Sequence, residues 1–378
     1  MSPEAVSAAG FDVDVHRQRL AAASVAASDR GIDALLITPS PDYAYLLGYA
    51  APALERLTCL VVRADGDPAL VVPRLEQPLA IHHLGELADA IDVRPWDETE
   101  DPFRLLRSLV HPARRVAFQD QMWARFALRI RAALDPAEAV EAGPAMSSLR
   151  RIKTPPEIER LRAAATAADS AMRAITAERL SARTEAEVSR HVRELLLANG
   201  HDLADFAIVA SGPNSASPHH TPGERMIGEG DAVVLDIGGT RAGYCSDTTR
   251  TAFVGEVPAT FASMYDVLRR AQAAACDAVA PGVACSAIDA LAREVITEAG
   301  FGDAFIHRTG HGIGMEGHEE PYIVADNDEP LQAGHAFSIE PGIYIEGVWG
   351  ARIEDIVICT DAGGERLNTT STELYIVA

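Results

Sequence analysis

The chain has 378 residues, 48% hydrophobic and 23% charged, with 33 Lys and Arg against 55 Asp and Glu and a net charge of −22. That balance is globular rather than disordered, and the length suffices for one large domain or two ordinary ones. So acidic a chain, with no Lys/Arg run, excludes an unaided nucleic-acid binder and docking onto an anionic membrane.

In chain order, the opening MSPEAVSAAGFDVDVHRQRL lacks the apolar core of a secretory leader. Val13 to Arg30 is Ala-rich and predicts a helix stopped by Gly31. Ala34-Leu35-Leu36-Ile37, closed by Thr38-Pro39-Ser40-Pro41, predicts a buried strand. Leu60-Val61-Val62 and Ala69-Leu70-Val71-Val72 predict a hairpin over the turn residues Asp65-Gly66-Asp67-Pro68. Val116-Ala117-Phe118 reads as another strand. Together these predict an α/β domain over residues 1–150.

A join falls near 150. Thr154-Pro155-Pro156-Glu157 is a capping box with prolines in the first turn. Behind it Ile158, Leu161, Ala165, Ala168, Met172 and Ile175 recur at helical steps. Thr184 and Glu187 cap a second helix that ends at Gly200, and further helices span Phe261 to Val279 and Ser286 to Ala299. Ala232 to Ile237 and Tyr244 to Phe253 predict strands, with Gly238-Gly239 as the turn. Ala336 to Tyr344 and Ala351 to Cys359 repeat that form. The order helix, helix, strand, strand thus occurs twice in 151–378 and suggests two related halves, without a sequence repeat. No stretch of 18 apolar residues predicts a membrane span. Five cysteines, an odd number with no C-x-x-C, fit a reducing, cytoplasmic setting.

The chemistry-bearing residues lie after 210. Asp236 interrupts an apolar strand, and Asp247 follows eleven residues later in Tyr244-Cys245-Ser246-Asp247-Thr248-Thr249-Arg250. In a hairpin both carboxylates can point to one face. Taken singly, either Asp reads as an ion pair or a turn cap, with Arg250 as a partner. His311 opens His311-Gly312-Ile313-Gly314-Met315-Glu316-Gly317-His318, whose glycines let the backbone run close to something. Glu340 ends the strand Phe337-Ser338-Ile339, and Glu354 sits within Arg352-Ile353-Glu354-Asp355-Ile356-Val357, where Arg352 offers it an ion pair. Taken together, four carboxylates and an imidazole in apolar or Gly-rich contexts would be costly to bury uncompensated. Two divalent cations neutralise the four carboxylates. Oxygen-rich ligation with one His suits Mn²⁺, Co²⁺ or Fe²⁺, with Zn²⁺ also compatible.

The order Asp236, Asp247, His311, Glu340, Glu354 resembles that of the Xaa-Pro peptidases, the aminopeptidase P and prolidase group of the pita-bread metallopeptidases. The phrases GGTRAGYCSDTTRT, HRTGHGIGMEGHEEP, FSIEPGIY, GARIEDIV and RRIKTPPEIERLRAAA carry the likeness. It implies an α+β fold, with a creatinase-like N-terminal α/β domain over 1–150 and a pita-bread catalytic domain over 151–378. It implies the five residues as ligands of two metal ions, Mn²⁺ first, with Asp247 and Glu354 shared between them. His219, in Pro218-His219-His220-Thr221-Pro222, and His318 match the family's substrate-contacting histidines; spacing prefers His219 over His220. Arg352 matches a family arginine near the site, and Glu340 a proton shuttle. The resemblance further implies a peptide substrate with proline second, a homodimer, and no nucleic-acid or membrane partner. It leaves open aminopeptidase or dipeptidase, a same-fold hydrolase or lyase acting on a small non-peptide substrate, and a non-catalytic peptide-binding module. Gly312-x-Gly314-x-x-Gly317 matches a dinucleotide fingerprint only formally, since no helix-forming stretch follows it.

Overall fold

The structure, a computed structural model, describes residues 11–378. The reading of the N-terminus as lacking a leader core rests partly on residues 1–10, which lie outside the described residues. Contacts divide the chain into two compact units that meet at Arg150 and Arg151.

In the first unit Asp12 caps α1 (Val13–Asp29) by accepting from Asp14 N. The all-apolar β1 (Ala34–Ile37) follows and is fully buried. Ser40 caps α2 (Pro41–Leu47), with Pro41 in its first turn. β2 (Cys59–Arg63) and β3 (Ala69–Pro73) pair antiparallel across the Asp65-to-Pro68 turn. After α3 (Gln77–Leu84) come β4 (Asp92–Trp96), α4 (Pro102–Val110), β5 (Arg115–Phe118), α5 (Ala124–Leu134), β6 (Glu138–Glu141) and α6 (Gly143–Arg150). The strands form one six-stranded sheet in the order β4-β3-β2-β1-β5-β6. The sequence reading missed β4, whose apolar residues are interrupted by Arg94 and Pro95, and β6, whose terminal Glu138 and Glu141 leave no apolar run to rely on.

The second unit begins with α7 (Pro155–Thr176) and α8 (Glu185–Ala198), each opened by the capping box legible in the sequence. Their apolar faces pack on β7 (Leu203–Ser211), β8 (Ala232–Arg241) and β9 (Tyr244–Val254) around Met172, Val188, Val192, Val209 and Leu235. α9 (Ala259–Asp277) and α10 (Cys285–Glu298) cover a second sheet. Its strands are β10 (Gly310–Gly312), β11 (Glu319–Ile323) and β12 (Ala336–Ile339). The β13 (Gly342–Ile345) and β14 (Trp349–Arg352) ribbon leaves it, and β15 (Asp355–Thr360) and β16 (Gly363–Arg366) rejoin it. β17 (Tyr375–Val377) closes the chain beside β9. The sheet orders are β17-β9-β8-β7 and β11-β10-β12-β15-β16. No described helix is long and apolar enough to cross a membrane.

The two halves suspected from element order share hydrogen bonds one hundred residues apart. Glu185 N and Ala186 N donate to Arg225 O and Gly223 O, as Cys285 N and Ser286 N donate to Glu329 O and Asn327 O. Arg193 reaches Ala204 O as Arg293 reaches Phe305 O.

Three local expectations change. Gly238 and Gly239 do not turn the chain: β8 runs through them to Arg241, and Ala242-Gly243, both at positive φ, make the turn. A Cβ on Gly238 would lie 2.4 Å from the Phe206 ring, so these glycines serve close packing. The long strands expected from Ala336 to Tyr344 and Ala351 to Cys359 are each broken in two, at Glu340-Pro341 and at Ile353-Glu354. Pro341 has no N–H to extend the ladder, and β13 pairs with β14 outside the main sheet. β7 was not foreseen; its alternation is interrupted by a register shift between Leu203 and Phe206.

Candidate metal centre

Strand register delivers the carboxylates. Asp236 pairs across from Thr249 and Gly238 from Asp247, so Asp236 and Asp247 lie diagonally on one face of β8 and β9. β12 pairs with β15 as far as Ile339 and Asp355, which leaves Glu340 and Glu354 beside each other where that ladder ends. An isolated bridge between Thr249 and Glu354 joins the two sheets at this point. β10 contributes His311, whose backbone N–H donates to Ser338 Oγ at 3.0 Å.

The five side chains converge. His311 Nε2 is 3.2 Å from Glu340 Oε1 and 3.7 Å from Asp247 Oδ2. Asp236, Asp247 and Glu354 place one donor atom each within 4.8 Å of one another; so do His311, Glu340 and Glu354, and Asp247, His311 and His318. Burial first, and then Asp236, push the Asp247 carboxyl well above the ordinary range. Burial, then Asp247 and Glu340, do the same to Glu354. Burial also raises Asp236, against the pull of Arg352. Glu340 runs the other way: burial favours its acid form, but His311 outweighs it and holds it at about 2. His311 is raised, since Glu340 and Asp247 outweigh its burial.

Asp236 Oδ1 is buried with no hydrogen-bond partner, although its other oxygen lies 2.6 Å from Arg352 Nη2. An orphaned, buried carboxylate oxygen inside a crowd of acidic groups is costly unless a cation meets it. The donor set therefore fits the divalent metals expected from the sequence.

The supporting residues are specific. Thr249 Oγ1 donates to Glu354 Oε2 at 2.7 Å and accepts from Arg352 Nε at 3.1 Å. Arg352 Nη1 donates to Tyr344 Oη at 2.8 Å, and Tyr344 Oη lies 2.9 Å from His307 Nε2. Arg250, one partner considered for the aspartates, instead pairs with Asp355 at 2.6 Å, both fully buried. Arg352 takes Asp236 as its partner. Thr249, His307 and Tyr344 were not singled out from the sequence. His307 stands four residues before His311 in the same segment, a usable signal; Thr249 and Tyr344 carry none.

A cavity of about 790 Å³ opens over the cluster, lined also by Phe206, Ile208, Pro218, His219, Arg308 and His318. Of the ambiguous histidine pair, His219 faces it; His220 Nε2 lies 2.7 Å from Glu185 Oε2. The His318 ring centroid is 3.9 Å from that of His311. Burial first, then His311 and Arg308, lower His318 to about 4, so it is neutral near pH 7.

A family model for metallopeptidase family M24 matches residues 159–361, and one for the creatinase/prolidase N-terminal domain matches residues 19–152. A probable dipeptidase PepE of Mycobacterium tuberculosis is 45% identical over 369 residues, spanning 97% of this chain and 98% of that one. The crystal structure of dipeptidase PepE from Mycobacterium ulcerans matches with a TM-score of 0.92 at 44% identity, over 97% of this chain and 99% of that one. A recombinant prolidase from Thermococcus sibiricus matches with a TM-score of 0.90 at 33% identity, over 98% and 100%.

Proposed function

Because the chain belongs to metallopeptidase family M24, we propose that it hydrolyses the bond between an N-terminal residue and proline in a dipeptide, using two divalent cations. Asp236, Asp247, His311, Glu340 and Glu354 would hold them. The observation that carries this reading is the convergence of four carboxylates and one imidazole beneath one cavity, with Asp236 Oδ1 left unpartnered. Relatives named dipeptidase and prolidase support the dipeptide substrate. Mn²⁺ suits an oxygen-rich set with one imidazole, and Co²⁺, Zn²⁺ or Fe²⁺ can substitute. In this reading residues 1–150 form the creatinase-like N-terminal domain and 151–378 the pita-bread catalytic domain. Five free cysteines, four of them buried, support a reducing cytoplasmic setting. The homodimer implied by the resemblance is checked by sedimentation.

Bound there, the cations would supply an activated water and a polarised scissile carbonyl. The protein groups supply the rest. His311 Nδ1 is 3.1 Å from Gly312 O, which can only accept, so Nδ1 carries a proton and Nε2 is the ring atom that would bind a cation. Arg308 Nη2, which can only donate, is 3.3 Å from His318 Nδ1, so His318 carries its proton on Nε2. From the cavity wall, neutral His318 can then donate to the carbonyl oxygen as it gains charge, and His219 lies within the same cavity to assist it. The Glu340 carboxylate passes the water's proton to the departing proline nitrogen, which as a tertiary amide brought none of its own. Arg352 and Thr249 hold Asp236 and Glu354 in register throughout.

The test is a panel offered to the purified protein with Mn²⁺, Co²⁺ or Zn²⁺: an Xaa-Pro dipeptide, an Xaa-Pro-Yaa tripeptide, a Met-Ala-Ser peptide and an Xaa-Ala control. Metal-dependent cleavage of the dipeptide in preference to the tripeptide is expected. Preference for the tripeptide makes the protein an aminopeptidase. No turnover with metal bound moves the reading to a small non-peptide substrate, and no bound metal moves it to a peptide-binding module.

A further inference from the structure

The segment that carries His219 into the cavity has no regular structure beyond a short 3-10 turn at Gly212–Ala216, yet a buried carboxylate outside the cavity grips it. That carboxylate is Glu185, the first residue of α8, with no exposed surface. Its Oε1 accepts from Ser211 N at 2.8 Å, Ser211 Oγ at 2.7 Å and Asn214 Nδ2 at 3.0 Å. Its Oε2 accepts from His220 Nε2 at 2.7 Å, and from Asn214 Nδ2 at 3.2 Å and Gly223 N at 3.3 Å. Burial alone would raise Glu185, but Ser211, His220 and Asn214 bring it below its ordinary value, so the carboxylate stays charged and the bonds are charge-assisted.

These donors bracket His219. Ser211 and Asn214 precede it, Gly223 follows it, and His220 is its immediate neighbour. On the other side, both terminal nitrogens of Arg352 lie 3.5 Å from Pro218 O, and Gly350 N donates to Ser215 Oγ at 2.8 Å. The two neighbours of His219 therefore have different anchors, Pro218 O at Arg352, the partner of Asp236, and His220 at Glu185 on α8. His219 is the residue between them that faces the cavity. The second half uses the same device: Asp289 on α10 accepts from Thr309 N at 2.9 Å and Thr309 Oγ1 at 2.8 Å, two residues before His311.

We propose that Glu185 is a positioning residue for the reaction, setting the reach of His219 by holding the 211–223 segment through Ser211, Asn214, His220 and Gly223. This rests on the reading of His219 as a substrate-contacting imidazole. A carboxylate is needed because it accepts from all of these donors; a glutamine would turn an N–H toward some of them. Displacing an otherwise intact imidazole by about an ångström costs on the order of 100-fold in rate.

The test is a double-mutant cycle on the full-length, Mn²⁺-loaded enzyme with the Xaa-Pro dipeptide, using Glu185→Gln, His219→Ala and the pair. Metal content and the thermal midpoint are read alongside. Glu185→Gln is expected to lower kcat about 10- to 100-fold with metal content kept. In the His219→Ala background the same change should lower kcat less than about 2-fold, because the group it positions is gone. An equal loss in both backgrounds makes Glu185 merely structural and overturns the proposal. No loss from Glu185→Gln while His219→Ala is impaired also overturns it, and leaves the role of His219 standing. If His219→Ala is fully active, the role of His219 falls and the proposal with it. Should Glu185→Gln fail to fold, Asn214→Ala and His220→Ala, each removing one donor, carry the same cycle with smaller losses expected and the same refuting outcomes.

Discussion

Thr249→Val is the sharpest probe of how the cluster is held. Valine nearly matches threonine in shape, and Thr249 is fully buried, so the change removes one hydroxyl and little volume. That hydroxyl makes two bonds to ionisable groups, to Glu354 Oε2 at 2.7 Å and from Arg352 Nε at 3.1 Å. Bonds to charged groups contribute about 1.5–3 kcal/mol each. The two share one atom and are not independent, so a total loss of about 2–4 kcal/mol is expected. Part of it should appear in metal affinity, since losing a partner behind a ligand typically costs about 10–100-fold. Calorimetric titration of the stripped protein with Mn²⁺ reads the affinity, and urea unfolding of the metal-free protein reads the remainder. If Thr249→Val binds Mn²⁺ within twofold of the parent and unfolds at the same urea concentration, the hydroxyl does not organise the site.

Three further outcomes are expected. His318→Ala should keep its metal and lose about 10²–10³ in kcat, as loss of an oxyanion donor does; loss of metal instead would make His318 a ligand, and unchanged kcat would make it structural. Arg250→Met leaves fully buried Asp355 with Arg366 and Gln272 and strips donors from Thr249 O, Glu354 O, Thr370 O and Ser371 O, and should destabilise by about 3 kcal/mol in urea unfolding; a loss below about 1 kcal/mol contradicts the importance of that pair. His335 is fully buried, and burial, then Lys153 and Arg151, lower it from 6.5 to about 4. The unfolded chain therefore binds this proton at higher pH than the folded one. The contribution of His335 to stability is full above about pH 6.5 and falls by up to about 3 kcal/mol as pH drops to about 4. His335→Gln should flatten the urea midpoint across that window, and an unchanged pH slope rejects the assignment.

Much of the fold was legible because its signals are local. Thr154 with Glu157 and Thr184 with Glu187 announce two helices that begin where those boxes place them. The apolar runs of β1, β2, β3 and β8 fall where expected. The unforeseen strands are short, polar or interrupted: β4, β6, β7, β10, β11, β16 and β17, where pairing rather than periodicity makes the strand. The breaks at Glu340 and Glu354 were invisible for a similar reason: leaving one sheet for another depends on which ladder wins.

By itself, then, the sequence determined the residue types and their order: four carboxylates and a histidine in apolar or glycine-rich settings, too costly to bury without cations. That follows from composition along the chain and needs no coordinates. Only the tertiary structure decided who partners whom. Arg352 takes Asp236, Arg250 takes Asp355, and His220 turns to Glu185 and leaves His219 on the cavity. Each of these contacts joins residues far apart in the chain or chooses between adjacent ones. Sheet register and burial make that choice, and no linear pattern encodes it.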